Sequence, residues 1–90
     1  MNEQMRLARL AEAEGLILEP MELAPGGTTE RYEIHFWRET TYLGKVSYHE
    51  PTDEITINVD PTVPREIVDY VALVLKEDKD AYSERLELFD

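Results

Sequence analysis

The chain has no cysteine. No disulfide can staple it, and a closed zinc site is not expected. It is also poor in positive charge: nine Lys and Arg stand against twenty Asp and Glu, a net charge of −11. Phosphate is bound by clustered cations, so direct nucleic-acid binding is not expected. No apolar run approaches the roughly 20 residues of a membrane-spanning helix. The segment after Met1 is polar and charged, so neither a membrane contact nor a signal peptide is expected, and cytoplasmic residence is the default. Glycine is scarce, with four in all. The Gly26-Gly27 pair lacks the Lys-Ser/Thr and the helix that a phosphate loop needs, which leaves a turn. Ninety residues form one domain that buries roughly 60–65% of its unfolded surface. The core is therefore small, and a deep substrate cavity is not expected.

What is present is a strong strand pattern from Arg31 to Asp60. Alternate residues of a strand share a face. Tyr32, Ile34 and Phe36 fall together, with Glu33, His35 and Trp37 opposite. Tyr42, Gly44, Val46 and Tyr48 form a second set, with Leu43, Lys45, Ser47 and His49 behind them. Ile55, Ile57 and Val59 alternate with Thr56 and Asn58. This is an antiparallel meander with one covered face. Parity selects the register, because opposed residues point the same way. A three-residue loop, Glu39-Thr40-Thr41, pairs Tyr32 with Tyr48, Ile34 with Val46 and Phe36 with Gly44, where the absent side chain leaves room for the ring. At Glu50-Pro51-Thr52-Asp53 a four-residue loop pairs Glu50 with Ile55 and Tyr48 with Ile57.

The flanks supply the cover. Residues 2–14 predict a helix with a narrow stripe of Leu7, Leu10 and Ala11 with Ala8 beside it, ended by Gly15. Leu16 to Leu23 predicts a fourth strand; Pro20 donates no hydrogen bond and places it at the sheet edge, against Tyr32–Trp37. Asp60 or Thr62 is expected to cap a long helix with Pro64 in its first turn. Ile67, Tyr70, Val71, Val74 and Leu75 make the dominant stripe, widened by Val68 and Ala72. Residues 81–90 predict a second helix or a bent continuation, or else a mobile or partner-binding tail. The fold class is α+β: a helix, three to four antiparallel strands and a long helix, with the helices mainly on the face of Tyr32, Ile34, Val46, Ile55 and Ile57. A charge at Ile57 or Val71 is expected to unfold it.

No pattern of residues spells out a reaction. His35 opposite Lys45 and His49 opposite Arg31 stand roughly 13 Å apart along the sheet, too far to share one zinc ion. Ser47, His35 and Glu33 are neighbours on a flat sheet, with neither a pocket nor an oxyanion hole. No catalytic, metal-binding or cofactor-binding residue is assigned. Trp37 beside Leu43 is the notable pair: a tryptophan on the polar face suits an anchor for a protein partner.

In the tail, Arg85-Leu86-Glu87-Leu88-Phe89 resembles the short peptide, Gln-Leu-x-Leu-Phe, by which bacterial replication and repair proteins dock to the sliding clamp. The resemblance spans five residues, with Arg85 where that family has Gln. It implies partner contacts by Leu86, Leu88 and Phe89, to which the helical spacing of Tyr82 adds a fourth. The order of elements also resembles that of double-stranded-RNA-binding domains and of small acidic phage-encoded nuclease inhibitors. The expected function is a small acidic, non-enzymatic protein-interaction domain, a bacterial or phage accessory factor. The alternatives are an acidic DNA mimic that inhibits a nucleic-acid-binding protein, a clamp-binding protein, and last a small enzyme with dispersed residues. The expected partner is a protein, with a basic or nucleic-acid-binding one favoured by the charge and a homodimer allowed.

Overall fold

A computed structural model describes residues 3–23 and 31–77. Helix α1 spans Glu3–Ala13, and strands β1 to β4 span Leu16–Leu23, Arg31–Arg38, Thr41–His49 and Glu54–Val59. Helix α2, Arg65–Glu77, follows. The strands form one antiparallel sheet in the order β1-β2-β3-β4. The protein is therefore α+β, as its periodicity predicts. Tyr82, Leu86, Leu88 and Phe89, with the clamp-like string and the 24–30 connection, lie outside the described residues.

Both helices lie on one face. α1 packs over β1, and α2 over β3 and β4. Leu7 and Ala11 turn inward from α1, and Ile67, Val68, Tyr70, Val71, Val74 and Leu75 from α2. They meet Leu16, Leu18, Tyr32, Ile34, Phe36, Val46 and Tyr48 from the sheet. Gly15, at φ 70°, ends α1 in the left-handed conformation that glycine adopts at little cost. Arg38 ties the two ends of the cover together. Its Nε donates to the Glu14 carbonyl at 3.0 Å and its Nη1 to Thr62 Oγ1 at 3.2 Å. A cation at the last carbonyls of α1 also suits the helix dipole.

Pro20 lies on the outer strand β1, opposite Ile34, as its missing N–H requires. Tyr32–Tyr48, Ile34–Val46 and Phe36–Gly44 pair as parity demands. Above them the register shifts, and Trp37 pairs with Tyr42 and Arg38 with Thr41. Leu43 is the extra residue of a β-bulge, and the turn shortens to Glu39-Thr40. The bulge corrects two expectations. Tyr42 leaves the helix side and joins Trp37, while Leu43 turns to the helix side and packs against the core. Gly44 is also needed for a different reason. Its φ is +118°, and a Cβ there would stand 2.0 Å from the Asn58 carbonyl oxygen. Backbone shape and close approach, rather than room for the Phe36 ring, call for glycine.

The second hairpin keeps its parity but moves by two. His49 pairs with Glu54, Tyr48 with Ile55 and Val46 with Ile57. Glu50–Thr52 close a 3-10 turn, and Asp53, left-handed at φ 56°, donates its N–H back to the Glu50 carbonyl. The four-residue loop is thus 50–53, and the strands rejoin one residue nearer His49. Two further corrections follow. Ile57 is 37% exposed at the outer strand, and Ile55 is half-buried, so neither belongs to the central core. Asp60 caps the turn before α2 rather than the helix. Its Oδ1 accepts the Thr62 N–H at 2.9 Å, and its carbonyl accepts that of Val63. The hydrogen bonds from Thr62 hold the Asp60 carboxyl below its ordinary range. Pro64 stands at the helix entrance, where its carbonyl accepts the Ile67 and Val68 N–H groups.

Candidate functional site

With both helices on one side, the opposite sheet face carries no described element. Trp37 lies on that face, and Leu43 does not. The bulge that removes Leu43 delivers Tyr42 in its place. Ile17, Trp37 and Tyr42 then form one row across three strands. Ile17 is 49% exposed and Tyr42 46%. The Trp37 and Tyr42 rings meet edge to face, with centroids 4.9 Å apart, the arrangement aromatic quadrupoles prefer.

Below this row sits a charged hub. Glu33 is only 3% exposed, although it belongs to the bare face. Its Oε2 accepts from Lys45 Nζ at 2.9 Å and from Ser47 Oγ at 3.0 Å. Its Oε1 lies 3.0 Å from His35 Nε2. Burial pushes the carboxyl up, but the hydrogen bonds from Lys45, His35 and Ser47 outweigh it, and the group titrates below its ordinary range. Glu33 is therefore ionised at neutral pH and can only accept. His35 then donates from Nε2, and in the neutral ring Nδ1 accepts from the Tyr42 hydroxyl at 2.8 Å. The result is a line from Tyr42 through His35 to Glu33, braced by Lys45 and Ser47. Sequence spacing brought Ser47, His35 and Glu33 together; in the fold Ser47 bonds Glu33, and Tyr42 takes the place beside the imidazole.

This line has the order of a nucleophile, a base and an orienting carboxylate. Catalysis would also need a cavity at the Tyr42 oxygen and donors for a developing oxyanion. A concavity on this face, about 220 Å³, lies further down, lined by Arg31, Lys45, Ser47, His49, Glu54 and Thr56. There His49 Nδ1 is engaged by Thr52 Oγ1 at 2.9 Å. The line fixes the imidazole, and through it the phenol that packs on Trp37. No group of three His, Asp or Glu side chains among the described residues could hold a metal ion. Among those residues, too, no helix is long and apolar enough to cross a membrane. Comparison of the chain with protein-family models, with curated proteins and with solved structures gave no match.

Glu33 offers a direct check. A carboxyl depressed by folding stabilises the fold above the ordinary glutamate range, and that contribution is lost as pH falls through and below it. Urea midpoints of the wild type should therefore drop on acidification through that range, and those of Glu33→Gln should drop less. At neutral pH Glu33→Gln should cost about 1–3 kcal/mol, because Lys45 loses its charge partner and one amide face meets a donor. Equal acid sensitivity of the two proteins would remove Glu33 as the hub.

Proposed function

We propose that the protein is a non-enzymatic interaction domain that binds a protein partner on its bare sheet face, with Trp37 and Tyr42 as anchors. The observation that carries this reading is the aromatic pair itself. Tyr42 is exposed and Trp37 half-buried beside it, and the His35–Glu33 line holds the phenol in one geometry, so little side-chain entropy is lost on binding. Tryptophan and tyrosine in such settings dominate binding energies.

The charge around the anchor describes the partner. Glu19, Glu39 and Glu54 are exposed on or beside this face. Lys45 is spent on Glu33. A partner with an apolar pocket and a basic rim matches this surface, and its approach is steered by the net charge of −11. An acidic DNA mimic would need its carboxylates along one track. The exposed ones described are spread over α1 (Glu3, Glu12), β1 (Glu19), β4 (Glu54), the turns (Glu14, Glu39, Glu50, Asp53, Asp60) and α2 (Glu66, Asp69, Glu77), which favours the face over the track.

Affinity capture from bacterial lysate with four baits tests this: wild type, Trp37→Ala, Tyr42→Ala and Leu73→Ala, the last an exposed position on α2. One basic protein should be retained by wild type and Leu73→Ala, released by rising salt, and weakened about 30-fold by Trp37→Ala, a loss of about 2 kcal/mol. Equal recovery on all four baits would refute the assignment.

A further inference from the structure

The two edges of the sheet are not alike. β1 carries Pro20, a device that discourages strand addition. β4, Glu-Ile-Thr-Ile-Asn-Val, has no proline, no lysine and no bulge. Its hydrogen-bonding sense can be worked out. Asp60 donates its N–H to the Leu43 carbonyl at 2.7 Å. Antiparallel pairs alternate between bonded and non-bonded, so Thr56 and Asn58 direct their backbone groups toward β3. The backbone N–H and carbonyl groups of Ile55, Ile57 and Val59 then point outward, and among the described residues no strand meets them. Beside this edge, on the helix side, opens a cleft of about 320 Å³ lined by Ile57, Val59, Val63, Pro64 and Val68 together with the polar Asp60, Thr62 and Arg65.

We propose that β4 pairs with β4 of a second copy of the chain, in an antiparallel dimer with its twofold axis normal to the sheet. The strand is complementary to itself. Directly opposed residues must share a face, which allows registers centred on Thr56 or on Ile57. Centring on Ile57 would set Glu54 against Asp60 of the second copy, two like charges. Centring on Thr56 sets Glu54 against Asn58 and Ile55 against Ile57 instead. In that register the outward backbone groups of Ile55 and Ile57 exchange hydrogen bonds, and each copy delivers an isoleucine to the cleft of the other. The helices stay on one side of the joined sheet, and the two Trp37–Tyr42 pairs lie on one continuous eight-stranded face.

Each copy carries −11, so this contact is opposed by charge and strengthened by salt, the reverse of the behaviour expected with a basic partner. Sedimentation equilibrium of the full chain, over a wide concentration range at low and high salt, reads both the mass and its salt dependence. The expected result is a reversible dimer favoured by salt. Ile57→Asp should be monomeric throughout and still melt cooperatively by circular dichroism, only a few degrees lower. Asn58→Lys sets an ammonium against Glu54 of the second copy twice over, and should tighten the dimer about fivefold. A monomer under all conditions would overturn the proposal. So would a dimer indifferent to Ile57→Asp, or an edge that takes up an extended peptide of another protein while the chain itself stays monomeric.

Discussion

Gly44→Ala is expected to destabilise the protein by about 3 kcal/mol or more. Two causes add. The residue sits at φ +118°, and the new methyl would be placed 2.0 Å from the Asn58 carbonyl oxygen, a backbone atom that cannot swing aside. Relief requires β3 and β4 to separate or the bulge at Leu43 to be lost. Losing the bulge would turn Tyr42 back to the helix side and Leu43 out of the core. The variant should therefore show a lowered urea midpoint and, where still folded, an altered near-ultraviolet dichroism from the separated Trp37–Tyr42 pair. A midpoint equal to that of the wild type would contradict the bulge.

Val71→Asp should be at least as damaging. Val71 has no exposed surface and faces the sheet from the middle of α2. A carboxylate there finds no partner, and burying one costs about 4 kcal/mol or more, most of what a domain of this size has in reserve. Ile57→Asp, by contrast, should cost about 1 kcal/mol, because the side chain is 37% exposed at the outer strand and the new charge can reach water. Thermal melts of the two variants should be far apart. Similar melts would mean that the edge strand is as deeply buried as the centre of α2.

The contrast between these two positions shows how far the fold was legible. Periodicity of two and of 3.6 separates the faces of β2 and of α2 correctly, because burial of one face imposes it on every residue in turn. Parity then recovers the β2–β3 pairing from Tyr32 to Phe36. It says nothing about how far from the centre a strand lies, so Ile57, on the correct face, reads as deeper than it lies. It also cannot see a shift of two, which preserves every face; hence Tyr48 pairs with Ile55 rather than Ile57, where the left-handed backbone of Asp53 brings the strands together early. The bulge is the one place where parity itself fails. Its signal was present, a glycine inside a strand, but a glycine opposite Phe36 has a second explanation in ring packing.

The candidate site suffered from that same residue. Trp37 was legible as an aromatic on the polar face. Its neighbour is not legible, because without the bulge Leu43 stands where Tyr42 does. The buried Glu33 was not legible at all. Nothing in its spacing distinguishes it from the many other carboxylates of this chain. What sets it apart is that Lys45, Ser47 and His35 converge on it from two strands.

On the function proposed, the bare sheet face, through Trp37 and Tyr42, is the surface a partner occupies. The most direct measurement is a nitrogen–proton correlation spectrum of the labelled protein titrated with the protein captured by the wild-type bait. The Trp37 indole resonance and the amides of His35, Trp37, Tyr42 and Lys45 should move together, while those of α1 and α2 stay in place. Shifts confined to α1 and α2, with the Trp37 indole unmoved, would contradict it.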